Sequence, residues 1–446
     1  MIKSTQFILY ICLVCSLQAG AQNTPRDSSL ANATVQNCVR FALDHQPFIQ
    51  QSILSERITD REISSRLADW YPQIGLGGTY QHYFKLPSTA LGVDSSGKRQ
   101  IIQTGIRNTS ALAFSASQNI FNRDVLLASR TAGDVRQNAR QTTVRNKIDI
   151  TIAVSKAFYD VLATQEQINL LQDDIIRLTR SLQDAYNQYK GGLVDKIDYK
   201  RATIALNNSK AQKKTFEEQL IAKHSYLKYL MGFPQEDDLN LQYDSLQLER
   251  ESQLDTLQPL KVKDRIEYRQ LQTQQSLLRA NLQYNKWSFL PTLSVNGYYN
   301  LTYLSENVKD LYKYSYPNSY AGLSLNIPIF QGFRRIQLIR AAELQLQSND
   351  WSFVSLTDSI TNEYTTALTN YKASSFSYQL LKDNVDIASE VYNTVQLQYK
   401  AGIKTYLDVI IAESDLRSAQ VNYTNALYQL LADKLDVDRS LGNIQY

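Results

Sequence analysis

The sequence predicts a mixed fold: strands of a transmembrane β-barrel joined to long coiled-coil helices, with the pattern laid down twice. Three observations predict it. None of the nine prolines lies between Pro87 and Pro234, and none follows Pro328. Four short stretches alternate apolar and polar residues without a single Asp, Glu, Lys or Arg. Segments of the first half recur about 210 residues later.

Composition narrows the class further. Sixteen glycines and nine prolines in 446 residues are both below the usual shares. A loop-rich all-β protein or an α/β enzyme needs more frequent turn punctuation than that. Charge is balanced, 47 basic against 43 acidic residues, net +4, so no nucleic-acid partner is expected. A mean hydropathy of −0.36 excludes a multispanning helical membrane protein. Tyrosine, with 29 residues, is enriched and suits surfaces that are part apolar and part wet.

Residues 1–21 read as a secretory signal. Lys3 supplies the charge, residues 7–17 (FILYICLVCSL) the apolar core, and Ala19-Gly20-Ala21 the cleavage site, giving a mature start at Gln22. The apolar run is too short to span a bilayer. Cys12 and Cys15 leave with the signal, so Cys38 is the one mature cysteine. An intramolecular disulfide and a cysteine metal site are both excluded.

Residues 22–232 form the first repeat: a helix near 34–69, a β-hairpin, a long helix over 123–190 and a return helix over 197–230. A linker over 233–262 (Pro-bounded, acidic and polar) leads to the second repeat, 263–446. This begins with a helix near 263–287 and ends with a long helix over 334–400 and a return helix over 407–440. The copies are tied by Gln188-Tyr189-Lys190-Gly191-Gly192 against Gln398-Tyr399-Lys400-Ala401-Gly402, and by Asp198 against Asp408.

The strands are predicted at 73–84, 109–120, 292–304 and 320–327. In 292–304, Leu293, Val295, Gly297, Tyr299, Leu301 and Tyr303 alternate with Thr, Ser, Asn and Tyr. Apolar-out, polar-in strands of this length suit a barrel wall in lipid. Four strands cannot close a barrel, and an open edge cannot face hydrocarbon. Several chains must therefore share one barrel. The loops 85–108 and 305–319 are expected at its outer end.

Each long helix would reach roughly 100 Å at about 1.5 Å per residue. In the first, a seam of alternating four- and three-residue steps runs from Ile150 through Val154, Val161 and Ile168 to Tyr189. The register persists from Ile360 to Tyr399. A 3.5-residue period means coiled-coil packing. Both helices are expected to stop at reversals marked by Gly192 and Gly402, in left-handed caps.

No catalytic constellation appears. His45, His82 and His224 lie far apart, no phosphate loop or nucleophile elbow is present, and no cofactor or metal is implied. The chain is not expected to be an enzyme. The acid pairs Asp173-Asp174, Glu217-Glu218 and Asp237-Asp238 read as solvated faces.

The chain resembles the TolC-like outer-membrane efflux family of Gram-negative bacteria. The carriers are Ala42-Leu43-x-x-Gln46-Pro47, Tyr71-Pro72 and Leu290-Pro291 before the hairpins, Pro328-Ile329-Phe330 after the last strand, and the two reversals. The resemblance implies a homotrimer with a twelve-stranded barrel in outer-membrane lipid, continued by an α-helical barrel through the periplasm. It implies passive export, with a periplasmic adaptor and an inner-membrane pump as partners. It also implies a closable end at the reversals. Tyr399 matches the family's latch tyrosine, Lys404 replaces its arginine, Asp408 matches a pore aspartate and Ile411 replaces a second. Asp198 matches the aspartate that holds the tyrosine and the basic residue. The alternative is a periplasmic coiled-coil adaptor or scaffold without a pore, which would not need four charge-free alternating strands.

Overall fold

The structure, a computed structural model, describes residues 33–446 except 94–96, 98, 193–194 and 244. The expected signal segment and mature start at Gln22 lie outside the described residues.

The first predicted helix is two helices, α1 (Val35–His45) and α2 (Pro47–Leu67). Pro47 has no N–H to continue the ladder, and Gln46 before it is extended, at ψ 122°. The Gln46 side chain instead accepts the amides of Phe48 and Ile49 and caps α2.

Four strands form one antiparallel sheet in the order β1 (Gln73–His82), β4 (Asn108–Phe121), β5 (Thr292–Ser305), β6 (Ser315–Asn326). The central β4–β5 pair joins the two halves of the chain, with Asn108 opposite Ser305 and Phe114 opposite Tyr299. The alternation now aligns across strands. Leu76, Phe114 and Tyr299 form one row, Gly78, Leu112, Leu301 and Pro317 another, and Val295 faces Leu323. These rows make one apolar face. All residues of β1 and β6 are exposed, so none of the described residues covers that face.

Two expectations need correction here. The last strand starts at Ser315 rather than at residue 320, because the chain before it continues the pairing out to Tyr303. Pro317, opposite Leu301, stands on the edge strand of this chain's sheet, the kind of strand in which a proline is tolerated. The loop 85–108 holds a separate hairpin, β2 (Ser88–Val93) with β3 (Arg99–Gln103). The described residues thus contain six strands, four of them in the main sheet.

The long helices are α3 (Arg123–Lys190), 68 residues, and α7 (Arg334–Lys400), 67 residues. Gly192 and Gly402 follow them at φ 72° and 75°, a region open to glycine at little cost. The return helices α4 (Lys196–Met231) and α8 (Tyr406–Leu441) are 36 residues each. Val154, Val161, Ile168 and Leu171 of the predicted seam are buried, as are Ile360, Ala367, Tyr371 and Tyr378. α3 packs along α4, α7 along α8, and α3 meets α8 between the hairpins. Lys156–Asp436 at 2.6 Å and Arg439–Asp149 at 2.9 Å bridge that junction.

The stretch between the halves packs on the bundle. It contains a short helix, α5 (Ser245–Glu251), and Leu241 bridges to Ala33. Tyr371 Oη donates to the Ser252 carbonyl at 2.9 Å. A further helix, α6 (Ile266–Lys286), then leads into β5. Among the described residues no helix is long and apolar enough to cross a membrane. The apolar face of the sheet is left without a cover of protein by the described residues.

Candidate gate at the helix reversals

The sequence brings the two reversals together because α3 and α7 are nearly equal in length and their hairpins lie side by side. Tyr399, one residue before the end of α7, donates its hydroxyl to Gln188 Oε1 on α3 at 2.7 Å. Its ring packs at 5.7 Å from that of Tyr406, which is fully buried with Ala185 and Ala202. Burial raises the Tyr399 hydroxyl pKa, and the nearby charges of Asp198 and Asp184 add to the shift. The hydroxyl is therefore a dependable donor at physiological pH.

Asp198 lies in the first turn of α4. Its charge reaches both Tyr399 and Tyr406, but the direct hydrogen bond from Tyr399 goes to Gln188. Asp408 lies in the first turn of α8. It accepts from the Thr405 amide at 2.9 Å and the Thr405 hydroxyl at 2.7 Å, while Thr405 Oγ1 accepts from the Asp408 amide. This is a capping box. The Thr405 hydrogen bonds hold the Asp408 carboxyl below the usual range, aided by Lys404, whose Nζ is 3.9 Å away. Within one chain Lys404 therefore reaches Asp408, not Asp198. Ile411 is exposed beside them.

Sequence reasoning missed Gln188, Thr405 and Tyr406. Gln188 stood in the repeated motif and Tyr406 on a helix start, but neither reads as functional without its partner. The acid pair Asp173-Asp174 also needs correction. Asp174 is 1% exposed and lies in an ionic cluster between helices, because it falls on the α3 face next to Leu171 and Leu178.

The fold is that of an outer-membrane channel with a helical barrel and a β domain. VceC of Vibrio cholerae superposes with a TM-score of 0.71 at 14% identity, over 92% of this chain and 96% of that one. The MtrE channel of Neisseria gonorrhoeae, described as its open state, gives 0.71 at 19% identity, over 92% and 88%. In sequence, the chain is 22% identical over 416 residues to outer membrane protein TolC of Escherichia coli K12, covering 89% of this chain and 80% of that protein. The outer membrane efflux protein family model matches residues 39–232 and 265–443. The chain belongs to that family. It is an outer-membrane export duct of a Gram-negative cell, reaching into the periplasm, and its family is one of channels rather than enzymes.

Proposed function

We propose that three copies of the chain assemble into one passive duct, with a twelve-stranded barrel in outer-membrane lipid and a helical barrel below it. One observation carries the reading: the four-stranded sheet has two free edges, β1 and β6, and an uncovered apolar face. Free edges in lipid are too costly to persist. Pairing β6 of one chain with β1 of the next removes them, and three chains give twelve strands. Exposed apolar residues along α7, among them Leu344, Trp351, Phe376, Ile387 and Leu397, supply helix-to-helix contact between neighbouring chains in this reading. Residues 22–232 and 263–446 act as an internal repeat around the segment 233–262, so six helix–hairpin units encircle the axis. A periplasmic adaptor and an inner-membrane pump complete the path. Native mass spectrometry of detergent-extracted protein should show three chains. A stable monomer that keeps its strand content would refute the shared barrel, and a soluble protein released by alkaline wash would favour the poreless scaffold.

The reversals form the closable periplasmic end in this reading. Tyr399 and Gln188 latch α7 to α3, Asp198 sets the local field, and three copies of the Lys404–Asp408 pair ring the mouth. Tyr399→Phe and Gln188→Ala should each raise resting conductance in planar bilayers by about fivefold, the value of one net hydrogen bond of about 1 kcal/mol. The double variant should add nothing to either single change, because one bond is lost in all three. Full additivity, or no change, would place the latch elsewhere.

A further inference from the structure

We propose that Glu413, buried where the two helical hairpins of a chain meet, is a proton-operated clamp that holds the hairpins together when protonated and loosens them when ionised. The inference rests on the duct reading, in which the α7–α8 hairpin moves against α3–α4 to open the periplasmic end.

The geometry sets an imbalance between two acids. Asp174 of α3 is well supplied: it accepts from Ser209 Oγ of α4 at 2.7 Å, Arg417 Nη1 of α8 at 3.3 Å and Arg177 Nη2 at 3.4 Å. Arg417 Nη1 also donates to Ser209 Oγ at 2.9 Å. Glu413 of α8 is 3% exposed, and neither of its carboxylate oxygens has a hydrogen bond. Its nearest cation is Arg177, with Nε 3.4 Å from Oε1 but not aligned to donate. The remaining groups around it are Arg201 of α4, which shares the adjoining cavity, Tyr392 of α7 and Tyr406 of α8. The phenols stay neutral here, because burial raises both hydroxyl pKa values.

A buried ion without donors is costly. Two events relieve it. Glu413 can take a proton and remain packed, or the hairpins can part and admit water. A cavity of about 300 Å³, lined by Glu413, Asp174, Arg417 and Arg201 with Ile204 and Leu407, already lies against the junction. The two routes compete, which links packing to pH. Burial raises the Glu413 pKa from 4.5 to about 7, with the Asp174 charge adding to the rise and Arg177 and Arg417 opposing it. In a parted, hydrated junction the pKa returns toward its ordinary value. The packed state therefore binds the proton more tightly. Its advantage is full at acid pH, falls as pH rises between about 4.5 and about 7, and is constant above that window. Acid closes the junction and neutral to alkaline pH loosens it.

The test is planar-bilayer conductance of the detergent-extracted full-length protein across this range. Each pKa unit between the states is tenfold in their ratio, so wild-type resting conductance should rise about tenfold from about pH 6 to about pH 8. Glu413→Gln keeps the shape without the titration and should stay low and flat. Asp174→Asn removes a like charge and should move the midpoint down. Arg177→Gln removes the opposing charge and should move it up. If Glu413→Gln does not assemble, those opposite shifts decide, since a merely loosened junction would move both variants the same way. A pH rise retained in Glu413→Gln, or shifts of one sign, overturns the clamp while leaving the duct intact. A wild type that conducts at no pH, with Tyr399→Phe equally silent, overturns the duct reading and the clamp with it.

Discussion

Phe114→Arg should prevent stable insertion in the outer membrane, whereas Ser115→Arg, one residue on, should insert. Phe114 lies midway along β4 between Leu76 of β1 and Tyr299 of β5, on the apolar face. Ser115 lies between Gly75 and Tyr298 on the opposite face. Successive strand residues point to opposite sides, so the pair differs in the side it addresses and little else. An arginine at mid-depth on a lipid-facing strand costs about 2–4 kcal/mol. In the trimer proposed above, three copies would share one barrel, which multiplies the penalty about threefold and brings it to the size of a domain's whole stability. On the other face the guanidinium would meet the water-filled interior of the proposed barrel and keep its hydration. Outer-membrane fractionation after an alkaline wash, with trimer recovery on native gels, reads the result. Exclusion of Ser115→Arg with insertion of Phe114→Arg would reverse the two faces. Insertion of both would mean that this sheet does not contact lipid.

That contrast was legible from the amino-acid sequence, because alternation with no charge has few other meanings. The helix ends were legible too: the glycines after Lys190 and Lys400 mark left-handed caps, and both occur at positive φ. The break at Gln46-Pro47 was visible as a proline, but a proline also begins helices, and the sequence alone merged α1 with α2. The early start of β6 escaped because Pro317 reads as a turn until its edge position is known. The hairpin of β2 and β3 escaped because it pairs only with itself. Charged groups were the least legible. Asp174 looked like half of a solvated acid pair, yet it lies three residues after the seam residue Leu171 and three before Arg177. A carboxylate beside a coiled-coil seam, with a basic residue one turn on, is the signal that was available. Glu413 and Arg417 stand four apart on α8, again about one turn. Their meaning depends on α3 and α8 meeting, a contact between opposite halves of the chain that local periodicity does not contain.

Gly232→Ala should be the most destabilising of the four substitutions at helix-ending glycines. Gly192, Gly232, Gly402 and Gly442 share nearly one backbone conformation, with φ between 68° and 78°. Each therefore carries the same left-handed penalty for an L side chain, about 1–2 kcal/mol. Their surroundings differ. A Cβ at Gly192 or Gly402 would meet nothing within 4 Å, and at Gly442 it would lie 3.5 Å from the Asp264 carbonyl. At Gly232 it would fall 2.9 Å from both Gln46 Cα and the His45 carbonyl, and 3.1 Å from Pro47 Cδ. Those atoms are backbone and a ring, at the break between α1 and α2, and cannot rotate away. Overpacking of this kind adds about 1–3 kcal/mol, for a total near 2–5 kcal/mol at Gly232 alone. The lesion would propagate, because the same break holds Phe41 and Ala42 against the core formed by α3, α4 and α8. Unfolding rates of the detergent-extracted protein are the suitable measurement, since an assembled barrel is held by its barrier to unfolding. Gly232→Ala should unfold fastest, with Gly192→Ala, Gly402→Ala and Gly442→Ala grouped well below it. Equal effects at all four positions would show that the α1–α2 break gives way freely, and that glycine is required at 232 for its backbone angle alone.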